Sequence, residues 1–597
     1  MQRLSVRLRC AGGCKNILIL VVLTYFFFCF GNGIISLSNP DEVFYAGTAK
    51  EMINQHSWMT PYLFGQPQFE KPVFLYWMLR IAFMIFGIGS FAGRFFPAVF
   101  ASLGVVAVYL FSLIAFKDEK KAFFTGLVLM SSGLYIGLAR TIFTDMIFSV
   151  FILLSLLAFF WGYARAPEPK RHLVLSDGQV SRLLREWFGV RLLHKEKKAG
   201  GIILFFVFSA LAVLTKGPLG FFIPFMAIVI FLALKKELKF IFSKATLWGL
   251  LVFILIAFPW YLLMIKKYGS SFTHEFFYND HIRRIFEAEH SSNDTWHFYP
   301  FAMVWAMFPW SAFVVISLLG LYKHIRKAGE PVYLFLASWI AAVFLIFQPC
   351  HSKLVSYIFP MFPALAILSA DLIYRGAAQN QRPRLVFSAF LLTVLALVVS
   401  YVGLAVGSVL FSRYITTYLP NKLPVYILLA LLFILVILCS VFIACRRLLK
   451  TACVLMLFIP VLFSIVPQVS KYIDPYLSSR DICRYLQDNY KLDNTILVSK
   501  FFTRGVRYYT EKKVAVIDIP GNGFFSPHPI AFLNSDSKVL DLLRRQPVTY
   551  CVLKKTALQD IQRFSNEFDY KVLKVIGNEY LVRIKPRTLT IAGRGVE

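Results

Sequence analysis

Acidic side chains are scarce in this sequence of 597 residues, which has 32 Asp and Glu against 63 Lys and Arg. Charged residues make up only 16% of the chain and hydrophobic residues 58%, a composition that excludes an ordinary soluble protein. The formal net charge of +31 suggests a nucleic-acid partner, but the Lys and Arg lie mainly in short clusters between apolar runs. That placement is typical of the cytoplasmic loops of a membrane protein, so we expect no nucleic-acid partner.

Signals for a metal site, a phosphate-binding loop and a cleaved leader are also missing. The nine cysteines show no metal-ligand spacing, and GNGF at 521–524 is more typical of a turn than of a glycine-rich phosphate loop. The basic N-terminus precedes an apolar run without a small-residue cleavage site, which favours a retained first helix. Cys483 and Cys551 share the polar C-terminal segment, where a disulfide could form if that segment faces an oxidising compartment.

Long apolar runs recur along most of the chain, each with the length that a helix needs to cross about 30 Å of hydrocarbon. They predict a polytopic α-helical membrane protein with about 13 transmembrane helices and a cytoplasmic N-terminus, since five short loops on the expected inner side are basic. Segment 71–87 is not counted because Arg80 lies in its middle, and we expect an interfacial or re-entrant helix there. The expected helices lie near residues 16–36, 92–116, 121–140, 143–164, 200–216, 218–235, 246–265, 300–321, 331–348, 354–374, 385–411, 424–445 and 451–468.

Two domains follow from this pattern. Residues 1–470 form a transmembrane domain, which includes an external loop at 37–91 with juxtamembrane helices and a second external loop at 266–299. An odd number of crossings places residues 471–597 on the outer side. Alternating strand and helix patterns there, which end in a hairpin turning at Gly577-Asn578, predict a small soluble α/β domain.

Uncommon polar residues collect on the expected outer face. Taken one at a time they have structural explanations: Asp41 could organise a turn after Asn-Pro, and Lys216 and Lys353 could extend from helix ends to the interface. Asp145 is harder to explain so, because an ionisable residue that opens an apolar run is costly and usually functional. Together the set indicates a site for a phosphorylated lipid and a polar acceptor. Its members are Asp41, Glu42, Glu70, Lys71, Arg140, Asp145, Lys216, Asp280, His281, Arg283, Arg284, Lys353 and Tyr357.

An ordered series of motifs carries a family resemblance. PDEVFYAGTAKEM, SWMTPYLFGQPQFEKPVFLYW, GRFFPAVFAS, ARTIFTDM, LTKGP, PWYL, HIRRIF and SKLVSYIFPMFPALA occur in this order. The chain resembles the ArnT-like aminoarabinose (4-amino-4-deoxy-L-arabinose) lipid A transferases, which are GT-C polyprenyl-phosphate-sugar glycosyltransferases related to protein O-mannosyltransferases. The resemblance implies a monomeric GT-C enzyme of the bacterial inner membrane with a periplasmic active site. It also implies an undecaprenyl-phosphate-linked sugar as donor and lipid A as acceptor.

The resemblance also implies roles for individual residues. Asp41 matches the catalytic acidic residue of the first external loop, and Asp145 matches a second functional aspartate. Lys71 matches a phosphate contact, and Lys353 and Tyr357 match an element beside the donor phosphate, where Arg140 could add another cation. Glu70 and His281 are similar to the ligands of a divalent metal, for which Zn²⁺ suits the His and carboxylate pair best. The chain departs from the family pattern in having Asp280 before His281 and Val355 after Leu354.

Two alternatives remain open at the level of sequence. The same donor chemistry could serve a protein hydroxyl or another glycan, because the shape of the cavity decides the acceptor. A lipid-linked sugar transporter would also have many helices, but its charges should lie near the bilayer midplane at broken helices, whereas these lie at outer helix ends. Asp41 would act as a general base for a hydroxyl acceptor, but would orient the substrate or stabilise positive charge if a lipid A phosphate attacks.

Overall fold

The computed structural model describes residues 2–164, 197–328, 330–379, 383–410, 421–519, 521, 523–524 and 528–587. The chain divides into two compact units. The first contains Met1–Asn32, Phe69–Met78 and Arg94–Pro467, and the second contains Gly33–Gln68, Leu79–Gly93 and Gln468–Glu597. The second unit thus combines parts of the predicted external loop at 37–91 with the C-terminal residues. The domain boundary drawn from the sequence at 470/471 stays a prediction.

The regular elements in the described residues of the first unit are all helices. Seven helices of the described chain are long and apolar enough to cross a membrane, or nine if each of two bent pairs forms one span. The chain is therefore a multi-pass membrane protein, while the count of 13 crossings stays a prediction because other apolar helices have only 10–17 residues. The helices of this unit are Gln2–Thr24, Tyr25–Cys29 (π), Glu119–Met130, Gly133–Ala139, Thr144–Tyr163, Lys197–Lys216, Leu219–Lys235, Leu238–Phe240 (3-10), Lys244–Thr273, His274–Ile282 (π), Arg283–Phe286, Ser291–Asn293 (3-10), Phe298–Ala306, Ser311–Ala328, Pro331–Phe347, Val355–Met361 (3-10), Phe362–Ala377, Pro383–Leu410, Leu423–Ala444, Leu448–Met456 and Phe458–Ser464.

The helix expected at 121–140 is broken in the structure. Glu119–Met130 and Gly133–Ala139 meet at an angle of 68°. The Ser131 hydroxyl donates to the Leu127 carbonyl at 2.7 Å, and its oxygen accepts from Trp310 Nε1 at 3.1 Å. The Gly133 N–H leaves the helical ladder and donates to the Phe308 carbonyl at 2.9 Å. Trp310 and Phe308, which contact the two sides of the break, lie far away in the sequence, so the apolar pattern of the segment does not reveal it.

The apolar segment around Arg80 forms the helix Phe74–Phe86. Its 13 residues span about 20 Å, too short to cross the hydrocarbon, in keeping with the expected interfacial segment. Arg80 is buried, and its NH1 donates to the Met52 carbonyl at 3.1 Å and also to the Ser57 carbonyl. Its guanidinium lies 4.0 Å from the centre of the Trp58 ring. These contacts satisfy a charge that would otherwise be expensive in an apolar helix.

The C-terminal part of the second unit is an α/β domain, as expected. Its mixed sheet has the order β5-β4-β3-β6-β8-β7, in which β5, β4, β3 and β6 are parallel and β7 and β8 form the antiparallel hairpin at Gly577. The strands are β1 Tyr62–Leu63, β2 Gln66–Pro67, β3 Ile496–Ser499, β4 Val514–Ile517, β5 Ala531–Leu533, β6 Thr549–Leu553, β7 Phe568–Ile576 and β8 Glu579–Pro586. The first two form a separate small hairpin.

Helices cover both faces of the large sheet. One face carries Arg480–Asn489, Lys500–Phe502 (3-10) and Thr503–Thr510, and the other carries Asp536–Arg545 and Lys555–Gln562. The helix Asp41–Asn54 of the same unit packs against Thr503–Thr510. Three of the five boundaries between the units fall within helices, namely Phe74–Phe86, Ser90–Phe116 and Val466–Leu477. Cys483 and Cys551 are both free and buried, and they belong to different hydrophobic clusters of this domain. The disulfide considered from the sequence is therefore absent, because each thiol packs as a small apolar side chain in its own cluster.

Candidate active site

The adjacent carboxylates Asp41 and Glu42 occupy different environments at the start of the helix Asp41–Asn54. Glu42 is buried, and its Oε2 accepts from the backbone N–H of Ser38 at 3.0 Å and from the Ser38 hydroxyl at 2.9 Å. The side chain of Asp41 is 55% exposed, and its Oδ1 lies 3.8 Å from Arg504 NH1. Glu42 thus fixes the turn, whereas Asp41 presents an accessible carboxylate at a helix N-terminus, where negative charge is favoured.

In the first unit, the EKP motif meets the HIRRIF segment through an ion pair. Lys71 Nζ donates to Asp280 Oδ2 at 2.6 Å, and its side chain is 13% exposed. Asp280 is buried and its Oδ1 accepts from Arg284 Nε at 3.2 Å. One carboxylate therefore holds two cations, and a Glu289 carboxylate adds a further contact to Arg284 NH1.

Tyr357 continues this arrangement toward Asp145. The Tyr357 hydroxyl accepts from Arg284 NH1 at 3.1 Å. Lys216 Nζ lies 5.1 Å from the centre of the Tyr357 ring and donates to Asp145 Oδ1 at 2.5 Å. We call the six residues Lys71, Asp280, Arg284, Tyr357, Lys216 and Asp145 the polar network. It brings together side chains from five motifs of the sequence, namely EKP, ARTIFTDM, LTKGP, HIRRIF and SKLVSYIF.

Lys353 lies next to the polar network along the backbone. The N–H of Ser352 donates to the Arg284 carbonyl at 3.1 Å, which anchors the SKL segment to the HIRRIF segment. Lys353 Nζ donates to Asp294 Oδ1 at 2.9 Å. Hydrogen bonds from Lys353 and His351 hold the pKa of Asp294 below its usual value, so the carboxylate stays ionised beside these cations.

Arg140 is engaged with the end of the first helix. Its NH1 donates to the Phe27 carbonyl at 3.1 Å and its NH2 to the Phe30 carbonyl at 2.7 Å. Carbonyls at a helix C-terminus lack intrahelical donors, so a guanidinium there is favourable. In this arrangement Arg140 stabilises the helix end, and a role at the donor phosphate stays a prediction.

The residues expected to bind a metal do not form a coordination set in this structure. His281 Nδ1 lies 2.7 Å from the Phe276 carbonyl oxygen, and a Cβ added at Gly217 would lie 2.5 Å from His281 Nε2, so both ring nitrogens face protein atoms. Over the described ranges, no three His, Cys, Asp or Glu side chains form a group that could hold a metal ion. The metal at Glu70 and His281 stays a prediction, and no step of the reaction is derived from it.

Three residues with roles predicted from the sequence, Lys71, Asp145 and Tyr357, thus belong to the polar network. Its other members, Asp280, Arg284 and Lys216, were predicted to lie on the outer face but had no predicted role. Asp294 and Glu289 are contributors that sequence reasoning misses, because each is one acidic residue in a polar loop. The weak signal for both was the general scarcity of acidic residues in this chain.

The chain has the GT-C fold of ArnT, which confirms the fold class predicted from the motifs. The crystal structure of ArnT from Cupriavidus metallidurans bound to undecaprenyl phosphate matches with a TM-score of 0.74 at 17% identity, over 97% of this chain and 99% of that one. The structure of the same protein in the apo state gives a TM-score of 0.72 at 18% identity, over 95% and 97%. An oligosaccharyltransferase from Archaeoglobus fulgidus gives 0.52 at 14% identity, over 90% and 69%.

Sequence relatives agree with the predicted resemblance. Residues 70–175 match the family described as dolichyl-phosphate-mannose-protein mannosyltransferase. An undecaprenyl phosphate-alpha-4-amino-4-deoxy-L-arabinose arabinosyl transferase from Edwardsiella ictaluri is 27% identical over 347 residues, which is 58% of this chain and 57% of that protein. An uncharacterised protein from Aquifex aeolicus is 29% identical over 356 residues, 59% of this chain and 72% of that protein. The chain thus resembles the aminoarabinose transferases, although the match spans little more than half of the arabinosyl transferase.

Proposed function

We propose that the chain is an integral-membrane glycosyltransferase that moves a sugar from undecaprenyl phosphate to lipid A. The sugar is an aminosugar such as aminoarabinose. The observation that carries the proposal is the polar network, in which Arg284 and Lys216 contact Tyr357 and Asp280 joins Lys71 to Arg284. The similarity to aminoarabinose transferases in sequence and to ArnT in fold supports the same conclusion.

Sugar transfer from a lipid phosphate requires positive charge near the phosphate that leaves. An oxygen of the acceptor attacks the anomeric carbon of the donor sugar, and the bond from that carbon to the phosphate oxygen breaks. Undecaprenyl phosphate leaves with the electron pair, so negative charge develops on its phosphate. Lys71 and Arg284, already held close by Asp280, are suited to stabilise that charge, and Lys353 can add to it.

An apolar groove near the polar network suits the lipid part of the donor. It has a volume of about 410 Å³ and begins three residues after Lys216 in the chain. Its lining is formed by Leu219, Phe222, Phe225, Met226, Val229 and Ile346. A branched polyprenyl chain buries apolar surface in such a groove while its phosphate stays with charged groups.

Asp41 has a role that depends on the acceptor. If a hydroxyl attacks, its accessible carboxylate can act as the general base. If a lipid A phosphate attacks, the attacking oxygen is already anionic, and Asp41 orients the acceptor or stabilises positive charge on the sugar. The amino group of an aminosugar donor also suits a carboxylate partner.

The proposal places the protein in the bacterial inner membrane as a monomer. The N-terminus lies in the cytoplasm, and the C-terminal domain and the active site lie in the periplasm. A divalent metal at Glu70 and His281 belongs to the same proposal. The metal content of the purified wild-type chain, compared with that of His281→Ala, tests this part separately.

Mass spectrometry of lipid A from cells with and without this chain tests the main proposal. We expect a mass increment equal to the transferred sugar only in cells that carry the active chain. An Asp41→Asn chain expressed at the same level serves as the control and should not restore the increment.

A second function uses the same donor with a protein hydroxyl or another glycan as acceptor. The match of residues 70–175 to the protein mannosyltransferase family favours this candidate. Unchanged lipid A, together with sugar-modified proteins or glycans that depend on the chain, would support the second function and contradict the first.

A further inference from the structure

Arg504 reaches the helix whose first residue is Asp41. It lies on the helix Thr503–Thr510 of the C-terminal domain, and its NH1 is 3.8 Å from Asp41 Oδ1. Its guanidinium carbon lies 4.6 Å from the centre of the Phe44 ring. Asp41 and Phe44 are three residues apart and share one face of their helix, so Arg504 covers that face beside the carboxylate.

Other contacts restrict where the guanidinium can lie. Arg504 NH2 lies 3.0 Å from His528 Nε2, which accepts the hydrogen bond because the guanidinium only donates. The His528 ring packs against Phe64 and Phe524, with ring centres 5.3 Å and 4.5 Å apart. The Arg504 side chain is 15% exposed. A planar group that donates from NH2 to His528 and lies over the Phe44 ring has little rotational freedom left.

The backbone around Asp41 is fixed to the same domain. The Asn39 N–H donates to the Leu477 carbonyl at 2.8 Å, and Asn39 Nδ2 donates to the Ser479 hydroxyl at 2.8 Å. Gly505 follows Arg504 directly, and a Cβ added there would lie 2.0 Å from Asn39 Oδ1. This close approach requires glycine. Arg504 and the turn before Asp41 are therefore held in one register.

The two helices are also joined by contacts that do not involve Arg504. One turn further along, Arg507 Nε contacts Glu51 Oε1 at 3.2 Å, and Lys50 Nζ donates to the Tyr508 carbonyl at 3.0 Å. Glu51 lies ten residues, or about 15 Å, along the helix from Asp41. The contact of Arg504 with Asp41 is thus distinct from the contacts of Arg507 and Lys50 and needs its own explanation.

We propose that Arg504 is a positioning residue that sets the orientation of the Asp41 carboxylate for the transfer reaction. The inference rests on the proposed function for the role of Asp41. The placement itself rests on the contacts of Arg504 with Asp41, Phe44 and His528. A lysine at this position would keep the charge but could not contact His528 and Asp41 at once.

Kinetics of transfer by the purified full chain in nanodiscs test the proposal, with Arg507→Gln as the matched control on the same helix. We expect Arg504→Gln to lower kcat at least about tenfold with little change in the KM for the donor, and Arg504→Lys to restore part of the loss. Arg507→Gln should stay within about threefold of wild type. Equal losses in both Gln variants would mean that Arg504 only docks the helices, and the proposal would be wrong.

The double variant Asp41→Glu/Arg504→Gln tests whether Arg504 acts through Asp41. Once the carboxylate is displaced by one methylene, removal of Arg504 should cost less than about threefold. A tenfold additional loss would contradict action through Asp41.

Hydrogen–deuterium exchange gives a readout independent of activity. In Arg504→Gln, the amides of residues 38–45 should exchange faster than in wild type, whereas Arg507→Gln should leave them unchanged. If the wild-type chain transfers no sugar but exchange at residues 38–45 is still faster in Arg504→Gln than in wild type, the proposed function is wrong and the positioning of Asp41 stands. Unchanged exchange and unchanged kcat in Arg504→Gln would overturn the inference.

Discussion

Lys71 and Asp280 are 209 positions apart in the chain and form an ion pair with Nζ and Oδ2 2.6 Å apart. Asp280 is 7% exposed and also accepts from Arg284, so a single buried carboxylate holds two cations in place. Buried charges are costly unless they are paired, and removal of one partner leaves the others uncompensated. Asp280 thus keeps together the two cations that the proposed reaction needs at the departing phosphate.

We therefore expect Asp280→Asn to lower both stability and transfer. The variant leaves Lys71 and Arg284 close together without their shared carboxylate, at a cost of about 3 kcal/mol. Thermal unfolding of the purified protein measures the first effect and a transfer assay the second. Glu287→Gln is the matched control, because the Arg283–Glu287 pair in the same segment is 32% and 55% exposed and should contribute at most about 0.5 kcal/mol. Similar losses in both variants would refute the assigned role of Asp280.

Tyr357→Phe separates the hydroxyl of Tyr357 from its ring. The variant loses the hydrogen bond from Arg284 but keeps the aromatic face next to Lys216. We expect transfer to fall about tenfold while the free energy of unfolding changes by about 1 kcal/mol. The control is Tyr135→Phe, which removes a buried hydroxyl that donates to the Ala101 carbonyl at 2.7 Å and should leave transfer near the wild-type rate. Full transfer activity of Tyr357→Phe would show that the Tyr357 hydroxyl has no role in the reaction.

Asp41 and Glu42 should respond differently to the same chemical change. Asp41→Asn is expected to abolish transfer and leave the protein folded, because the side chain is 55% exposed and the substitution changes its volume little. Glu42→Gln weakens the hydrogen bonds to Ser38 and should lower the melting temperature, with partial transfer retained. The two quantities to compare are transfer rate and melting temperature for each variant. Near-normal transfer by Asp41→Asn would reject its assignment.

Sequence patterns predicted the fold well where one local signal dominates. Long apolar runs mark the membrane helices, and β3, β4, β6, β7 and β8 of the C-terminal domain follow from short apolar runs with turns between them, whereas β5 was not predicted. The hairpin turn at Gly577 was predicted in place, and its φ of 59° explains why glycine is used there. The break at Ser131 was not predicted, because the indole of Trp310 that donates to Ser131 lies 179 positions away.

The candidate site was predicted as a set of residues but not as a set of partners. The sequence identified Lys71, Asp145 and Tyr357, yet the pairing of Lys71 with Asp280 depends on two loops meeting in space. Arg504 gave no signal at all, since it is one of 63 Lys and Arg and lies on a helix that the sequence did not predict. Long-range pairs of charges cannot be read from composition or from periodicity.

Glu579 is buried at the start of β8. Burial raises its pKa from 4.5 to about 8, while the hydrogen bond from the Ser479 hydroxyl, 2.5 Å long in this structure, opposes the rise. The folded chain therefore binds a proton here between pH 4.5 and about 8, where the unfolded chain has released it. It follows that stability contributed by the protonated form is fully present below pH 4.5 and is lost as pH rises through about 8.

We expect the β8 amides of the full chain to become less protected against hydrogen exchange between pH 5 and about 8. Exchange rates are compared with those of an unstructured peptide at each pH, which removes the intrinsic effect of pH on exchange. Glu579→Gln keeps a carbonyl oxygen for the Ser479 hydroxyl but cannot ionise, so its protection should stay level over the same range. Because Ser479 also accepts from Asn39 Nδ2, the loss should extend to the amides before Asp41. The same decline with pH in Glu579→Gln would show that another group titrates, and the assignment to Glu579 would fail.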